Sequence, residues 1–278
     1  MKLFDDNING FKKYLANNDK SKYTIDKYIR DVARFKNFVR GGEITRDLMG
    51  EYKNYLLNEG YSVRSINSMI SSINAFFDYS DRGDLKIKTV KMQRSVYCPE
   101  DKELTKSEYK RLCYAARKKN DRRLELIIEA VCATGIRIGE LKYITVEAAK
   151  RGEAVVTLKG KTRCVFIPKD LKRKLLRYAA EQDIKSGMIF VTRTGKAVNR
   201  TNVWRDMKNL CKDAGVKPEK VFPHNLRHLF ARTFYNIDKD IAKLADILGH
   251  SSIDTTRIYI ISTGAEHRRL IEKMKLIL

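Results

Sequence analysis

His224-Asn225-Leu226-Arg227-His228 places two imidazoles and a guanidinium within about one helical turn. Leu248-Gly249-His250 adds a third imidazole, and Tyr259 a phenol. Upstream, Ala133-Thr134-Gly135-Ile136-Arg137-Ile138-Gly139-Glu140 contributes a second arginine. Such a set can hold a phosphodiester and attack it without a metal. Negative charge grows on the non-bridging oxygens at the transition state, and one preorganised donor there is worth about 3 kcal/mol. Arginine suits the task because its planar fork matches two phosphate oxygens and stays charged. A hydroxyl serves as nucleophile, and a nearby acid must protonate the leaving oxygen.

These groups need elements to aim them. Pro223 suits a helix start, and His224 and Arg227, three apart, then project from one side. Leu226, Phe230 and Phe234 form the buried stripe of that helix. A helix over 239–248 precedes His250, and Gly249 can end it in a left-handed conformation. The carbonyl end of that helix is expected to favour a protonated His250. Arg137 follows a Thr-Gly turn, and Glu140, three residues on, can hold its guanidinium. Taken singly, an Arg-Glu pair is an ordinary surface feature, and one tyrosine of 14 is ordinary packing.

Lysine and arginine outnumber aspartate and glutamate 57 to 34, a formal net charge of +23. That balance points to a polyanionic partner, most simply nucleic acid. An apolar content of 43% is enough to fill a core. The chain has no apolar run of about 18 residues and no leader-type start, so no membrane association and a cytoplasmic location are expected. Cys98, Cys113, Cys132, Cys164 and Cys211 form no CxxC pair, which fits reduced thiols packed as small hydrophobes and predicts no metal site. No cofactor is expected.

Apolar periodicity predicts four helices in residues 1–94, over about 8–15, 21–40, 45–57 and 62–79. The pattern lapses over 81–101, within which 95–102 is read as a linker. Residues 103–278 then form a second domain. It opens on a capping box, Thr105-Lys106-Ser107-Glu108. An apolar helix follows over 124–132. Two short strands, 154–158 and 163–167, flank a turn at Lys159-Gly160-Lys161-Thr162. Further helices are expected over 170–182, 201–213, 223–235, 239–248 and 252–262. Near the end, Leu270, Ile271, Met274 and Ile277 make an apolar stripe among basic residues.

Taken in order, T-G-x-R-x-x-E, a lysine in a β-turn, H-x-L-R-H, L-G-H and a tyrosine resemble the tyrosine recombinase (phage integrase) family, in its small two-domain, Xer-like form. The resemblance implies a mainly α fold: a four-helix core-binding domain, then a mostly helical catalytic domain with a small β-sheet, of the DNA breaking-rejoining type. It implies that Arg137, Arg227 and His250 bind the phosphate and that Tyr259 is the nucleophile, leaving a 3′-phosphotyrosine. His224 would assist proton transfer. Lys159 would be the general acid, with Lys161 the alternative, since turn length varies in the family. Double-stranded DNA would be the partner of a homotetramer acting through a Holliday junction, with accessory proteins possible. The terminal stripe would pack on its own domain or on a neighbouring subunit. Two other readings stay open: a DNA-binding protein without catalysis, and a type IB topoisomerase-like relaxing enzyme.

Overall fold

The computed structural model describes residues 7–91, 103–158, 160–260 and 271–274. It divides into two compact units, Met1–Arg94 and Ser95–Leu278.

The first unit is helical. Helix α1 spans Asn7–Asn17, α2 Lys22–Val39, α3 Arg46–Asn58 and α4 Val63–Tyr79. Ser21, Thr45 and Ser62 each cap the helix they precede, their hydroxyls accepting from the amide three residues on. Phe11, Phe35, Phe76 and Phe77 meet in the core with Tyr52, Ile66 and Ile70, all fully buried. One polar group is sealed in beside them. The Asp31 carboxylate, buried, takes the Lys27 ammonium at 2.7 Å and the Ser72 hydroxyl at 2.9 Å. The lapse in periodicity after α4 is real, yet part of that stretch belongs to this unit. A short 3-10 turn at Gly83–Leu85 is followed by Ile87 and Val90, which pack on the same core. Asn74 and Asn67 tie down the backbone of Ile87 and Val90. The stretch read as a linker, 95–102, lies outside the described residues.

The second unit begins with α5, Lys106–Lys118, whose Thr105–Glu108 capping box is formed as expected. Helix α6, Arg122–Thr134, ends on Gly135 and leads into a 3-10 turn, Ile138–Tyr143. Helix α7, Val146–Arg151, leads to a two-stranded antiparallel sheet, β1 Glu153–Leu158 and β2 Lys161–Phe166. The pairing corrects the expected turn. Leu158 pairs with Lys161, so only residues 159 and 160 separate the strands, and Lys161 opens β2 instead of sitting at the tip. Then come α8 Lys169–Glu181, α9 Arg200–Lys208 and α10 Cys211–Ala214. The single helix expected over 201–213 is thus broken at Asn209-Leu210. Leu210 is buried there, and Arg111 donates to the carbonyls of Ala214 and Gly215 where α10 stops. Helices α11 Pro223–Asp238, α12 Ile241–Leu248 and α13 Ile253–Ile260 complete the described order.

Among the described residues no helix is long and apolar enough to cross a membrane. The described thiols, Cys113, Cys132, Cys164 and Cys211, are free and at least partly buried. Cys98 and, of the apolar stripe near the end, Leu270 and Ile277 lie outside the described residues, while Ile271 and Met274 are exposed.

Candidate active site

Arg227 lies one turn into α11 and is only 1% exposed, although no carboxylate among the described residues pairs with it. Backbone oxygens hold it instead. The guanidinium donates to the carbonyl of Gly135, which ends α6, and to that of Leu248, which ends α12, the latter at 2.7 Å. Helix carbonyls left without intrahelical partners carry partial negative charge, so two helix ends serve as the counter-charge. Burial and the nearby Arg137 lower the affinity of Arg227 for its proton, to a value of about 10. It therefore stays charged at neutral pH.

The two helix ends meet there because of their glycines. Gly135 has φ +66°, and a Cβ on it would stand 2.6 Å from Phe230 of α11 and 3.0 Å from Leu248. Gly135→Ala is expected to destabilise the chain by about 2–4 kcal/mol, combining left-handed strain with overpacking. A urea midpoint within error of the unmodified chain's would contradict this.

His250 follows Gly249, which caps α12 at φ 64° as the sequence suggests. Its Nε2 lies 3.0 Å from Arg227 Nη2, and its Nδ1 lies 2.8 Å from the Thr256 hydroxyl. An arginine N–H can only donate, so Nε2 accepts and the ring proton resides on Nδ1. The expected protonated His250 is not what the unliganded site holds. Burial, then Arg227, Arg137 and Arg163, lower it to about 4. The helix-end effect loses because Arg227 already occupies the Leu248 carbonyl.

Tyr259 lies on α13 and is 5% exposed. Its hydroxyl is 3.2 Å from His224 Nε2. Its ring packs among three imidazoles, with centroids 4.2 Å from His228 and 5.3 Å from both His224 and His250. His224 keeps an exposed face, yet desolvation by the protein packed around it foremost, then Arg227, Arg200 and Arg137, hold it below its usual value. It is therefore neutral and able to accept a proton. His228 is lowered to about 4 by burial and by His224 and Arg227, and it packs against the phenol, tilted by 35°, as an uncharged ring.

Arg137 precedes the 3-10 turn, with its side chain 41% exposed. Glu140, 1% exposed, accepts both its backbone amide and its Nη1 at 2.9 Å. The same carboxylate receives both Nη atoms of Arg163, at 3.0 and 2.8 Å. Burial by itself would raise the Glu140 carboxyl, but hydrogen bonds from Arg163 and Arg137 bring it down to about 2. The Arg137 charge is felt at Arg227, His224 and His250.

The structure thus brings His224, Arg227, His250 and Tyr259 into direct contact and sets Arg137 close by. Lys159 lies outside the described residues. Sequence reasoning missed Arg163, Thr256 and the packing of His228 against Tyr259. Arg163 had a detectable signal: it sits opposite Val156 on the inward face of the hairpin, where a charge needs a partner. Among the described residues no group of three or more His, Cys, Asp or Glu side chains is placed to hold a metal ion.

Residues 102–266 match the phage integrase family, and residues 8–83 match its N-terminal SAM-like domain. The chain belongs to the phage integrase family, as a site-specific recombinase of the tyrosine type. This recombinase is 31% identical over 281 residues to the tyrosine recombinase XerA of Thermococcus kodakarensis, covering 97% of this chain and 95% of that one. It matches a crystal structure of XerA recombinase with a TM-score of 0.55 and 26% identity, over 98% of this chain and 99% of that one. A lambda integrase tetramer bound to a Holliday junction has a TM-score of 0.70 at 20% identity, covering 91% and 75%. That likeness shows the fold.

The half-buried histidines set an acid limit on the recombinase. His228 and His250 titrate near 4 when folded, below the ordinary 6.5. Between those values the unfolded chain binds more protons, so stability falls as pH falls. Glu140 extends the loss from about 4.5 down to about 2. Their contributions are complete above pH 6.5 and drain away below it. A urea midpoint constant between pH 6.5 and 4 would show that these rings are not buried and neutral.

Proposed function

We propose that the chain cuts and rejoins double-stranded DNA at a specific site through a 3′-phosphotyrosine on Tyr259. The observation that carries this reading is the Tyr259 hydroxyl, 3.2 Å from a neutral His224 and packed beside the buried Arg227. His224 Nε2 takes the phenolic proton as the oxygen bonds to phosphorus. Arg137, Arg227 and His250 hold the non-bridging oxygens. His250 gains proton affinity when a phosphate enters, because the anion offsets the arginines that suppress it. The bond to the 5′ oxygen breaks, and Lys159 supplies its proton. Rejoining runs the same steps backward, so phosphodiester energy is kept in the protein link and no nucleotide is consumed.

Residues 1–94 act as the core DNA-binding domain, 95–102 as the linker and 103–278 as the catalytic domain. The +23 charge supports a DNA partner. The lambda integrase tetramer on a Holliday junction supports strand exchange by four copies.

The test is a library of nicked duplexes whose cleaved end diffuses away and traps the enzyme. A covalent adduct is expected, and peptide mapping should place the nucleotide on Tyr259. No adduct on any duplex supports a DNA-binding protein without catalysis. Relaxation of supercoiled DNA by monomers at any site supports the topoisomerase-like reading.

A further inference from the structure

Arg137 has a difficulty in its own geometry. A guanidinium held by a buried carboxylate forms a neutral pair, and a neutral pair attracts a phosphate weakly. Glu140 is such a carboxylate and takes two hydrogen bonds from Arg137. We propose that Arg163 is a positioning residue that cancels the Glu140 charge, so that Arg137 is oriented by Glu140 yet presents its full positive charge to the scissile phosphate. The inference rests on the cleavage reading above and deepens it.

Three observations carry it. First, Arg163 binds Glu140 through both Nη atoms, at 3.0 and 2.8 Å, in the fork geometry that favours arginine over lysine. The trio Arg137–Glu140–Arg163 therefore keeps one net positive charge. Second, the exposures divide the labour. The Arg163 side chain is 13% exposed and that of Arg137 is 41% exposed, so Arg163 is shut in with the carboxylate while Arg137 faces outward. Third, the backbone makes room for Arg163. A Cβ on Gly249 would stand 2.5 Å from its Cδ and 3.1 Å from its Nε. Gly249 is thus needed twice, to end α12 and to let the arginine shaft pass. Pressed there, the Nε is buried without a partner. Arg163 also links two parts of the site to the sheet: it grows from β2, it lies against the residue before His250, and it grips the carboxylate that aims Arg137. Its charge is felt at His250 and Arg227, which places it electrostatically inside the set.

The experiment uses the full chain and a nicked duplex on which the unmodified protein forms an adduct. Adduct rate at saturating DNA is read separately from the half-saturating DNA concentration. Arg163→Gln is expected to slow adduct formation by about tenfold or more, because Arg137 is then neutralised. Arg163→Lys, which restores charge without the fork, should fall between the two. The deciding variant is the double Glu140→Gln/Arg163→Gln. Removing the uncompensated carboxylate should recover at least about threefold over Arg163→Gln, a coupling of the size neighbouring residues show. A purely structural Arg163 would leave the double no faster than the single, and that result overturns the proposal. So does an unchanged rate in Arg163→Gln. Should the unmodified protein form no adduct at all, the cleavage reading itself falls, a distinct result from either. Urea midpoints of each variant separate slow chemistry from unfolding.

Discussion

Tyr259→Phe is expected to abolish the covalent protein–DNA adduct while leaving the fold and DNA binding in place. The substitution removes one oxygen. The ring can still pack against His228 and between His224 and His250, because those contacts are made by its carbons. The hydrogen bond to His224 is lost, at a stability cost of about 1 kcal/mol. The chemistry loses its nucleophile, and the expected fall in cleavage is at least about 10⁴-fold, as when other enzymes lose theirs. Denaturing gels of the trapped complex read the adduct, and gel retardation reads binding. Adduct persisting in Tyr259→Phe would assign the attack to another of the 14 tyrosines or to a different group. Loss of binding along with cleavage would mean that the phenol holds the site together, not that it reacts.

Arg227→Met has the broadest expected effect, because this one side chain serves the fold and the chemistry together. Its guanidinium satisfies the carbonyls of Gly135 and Leu248 in a fully buried place. Methionine fills most of the volume but leaves both oxygens without a donor. Each such group costs about 1–3 kcal/mol, so a loss of about 2–5 kcal/mol is expected on unfolding in urea. Cleavage should fall a further 10²- to 10³-fold, roughly the worth of one transition-state donor. A third readout separates the two roles. Arg227 is second only to burial in suppressing the proton affinity of His250. In Arg227→Met the His250 titration should therefore move up from about 4. An NMR titration showing His250 unmoved would contradict the contact between the Arg227 guanidinium and the His250 imidazole, whatever the activity does.

These expectations depend on features of unequal legibility. The helices of the first unit were plain because their apolar residues recur at helical spacing and their caps are local. Thr45 and Ser62 accept from amides only three residues away. The Thr105–Glu108 box and the Gly249 cap were visible for the same reason. The hairpin was placed, but its turn was two residues too long. Cross-strand register depends on what the inner face packs against, and Lys161 carried no local mark of pairing with Leu158. The break between α9 and α10 was also hidden, since it answers to burial of Leu210 and to Arg111, about a hundred residues upstream.

Residue types and short spacings by themselves determined which groups could meet a phosphate: two arginines, three imidazoles, a phenol and a strongly basic chain. They also set the helices that carry them, because capping and periodicity act within a few residues. Tertiary structure alone decided the charges those groups hold. Arg227 sits between two helix ends, His250 and His228 are neutral among arginines, and Arg163 crosses from a strand to share Glu140. The physical reason is that desolvation and Coulomb forces act through space, between segments as far as 92 residues apart in the chain, as Arg227 and Gly135 are, but in contact in the fold.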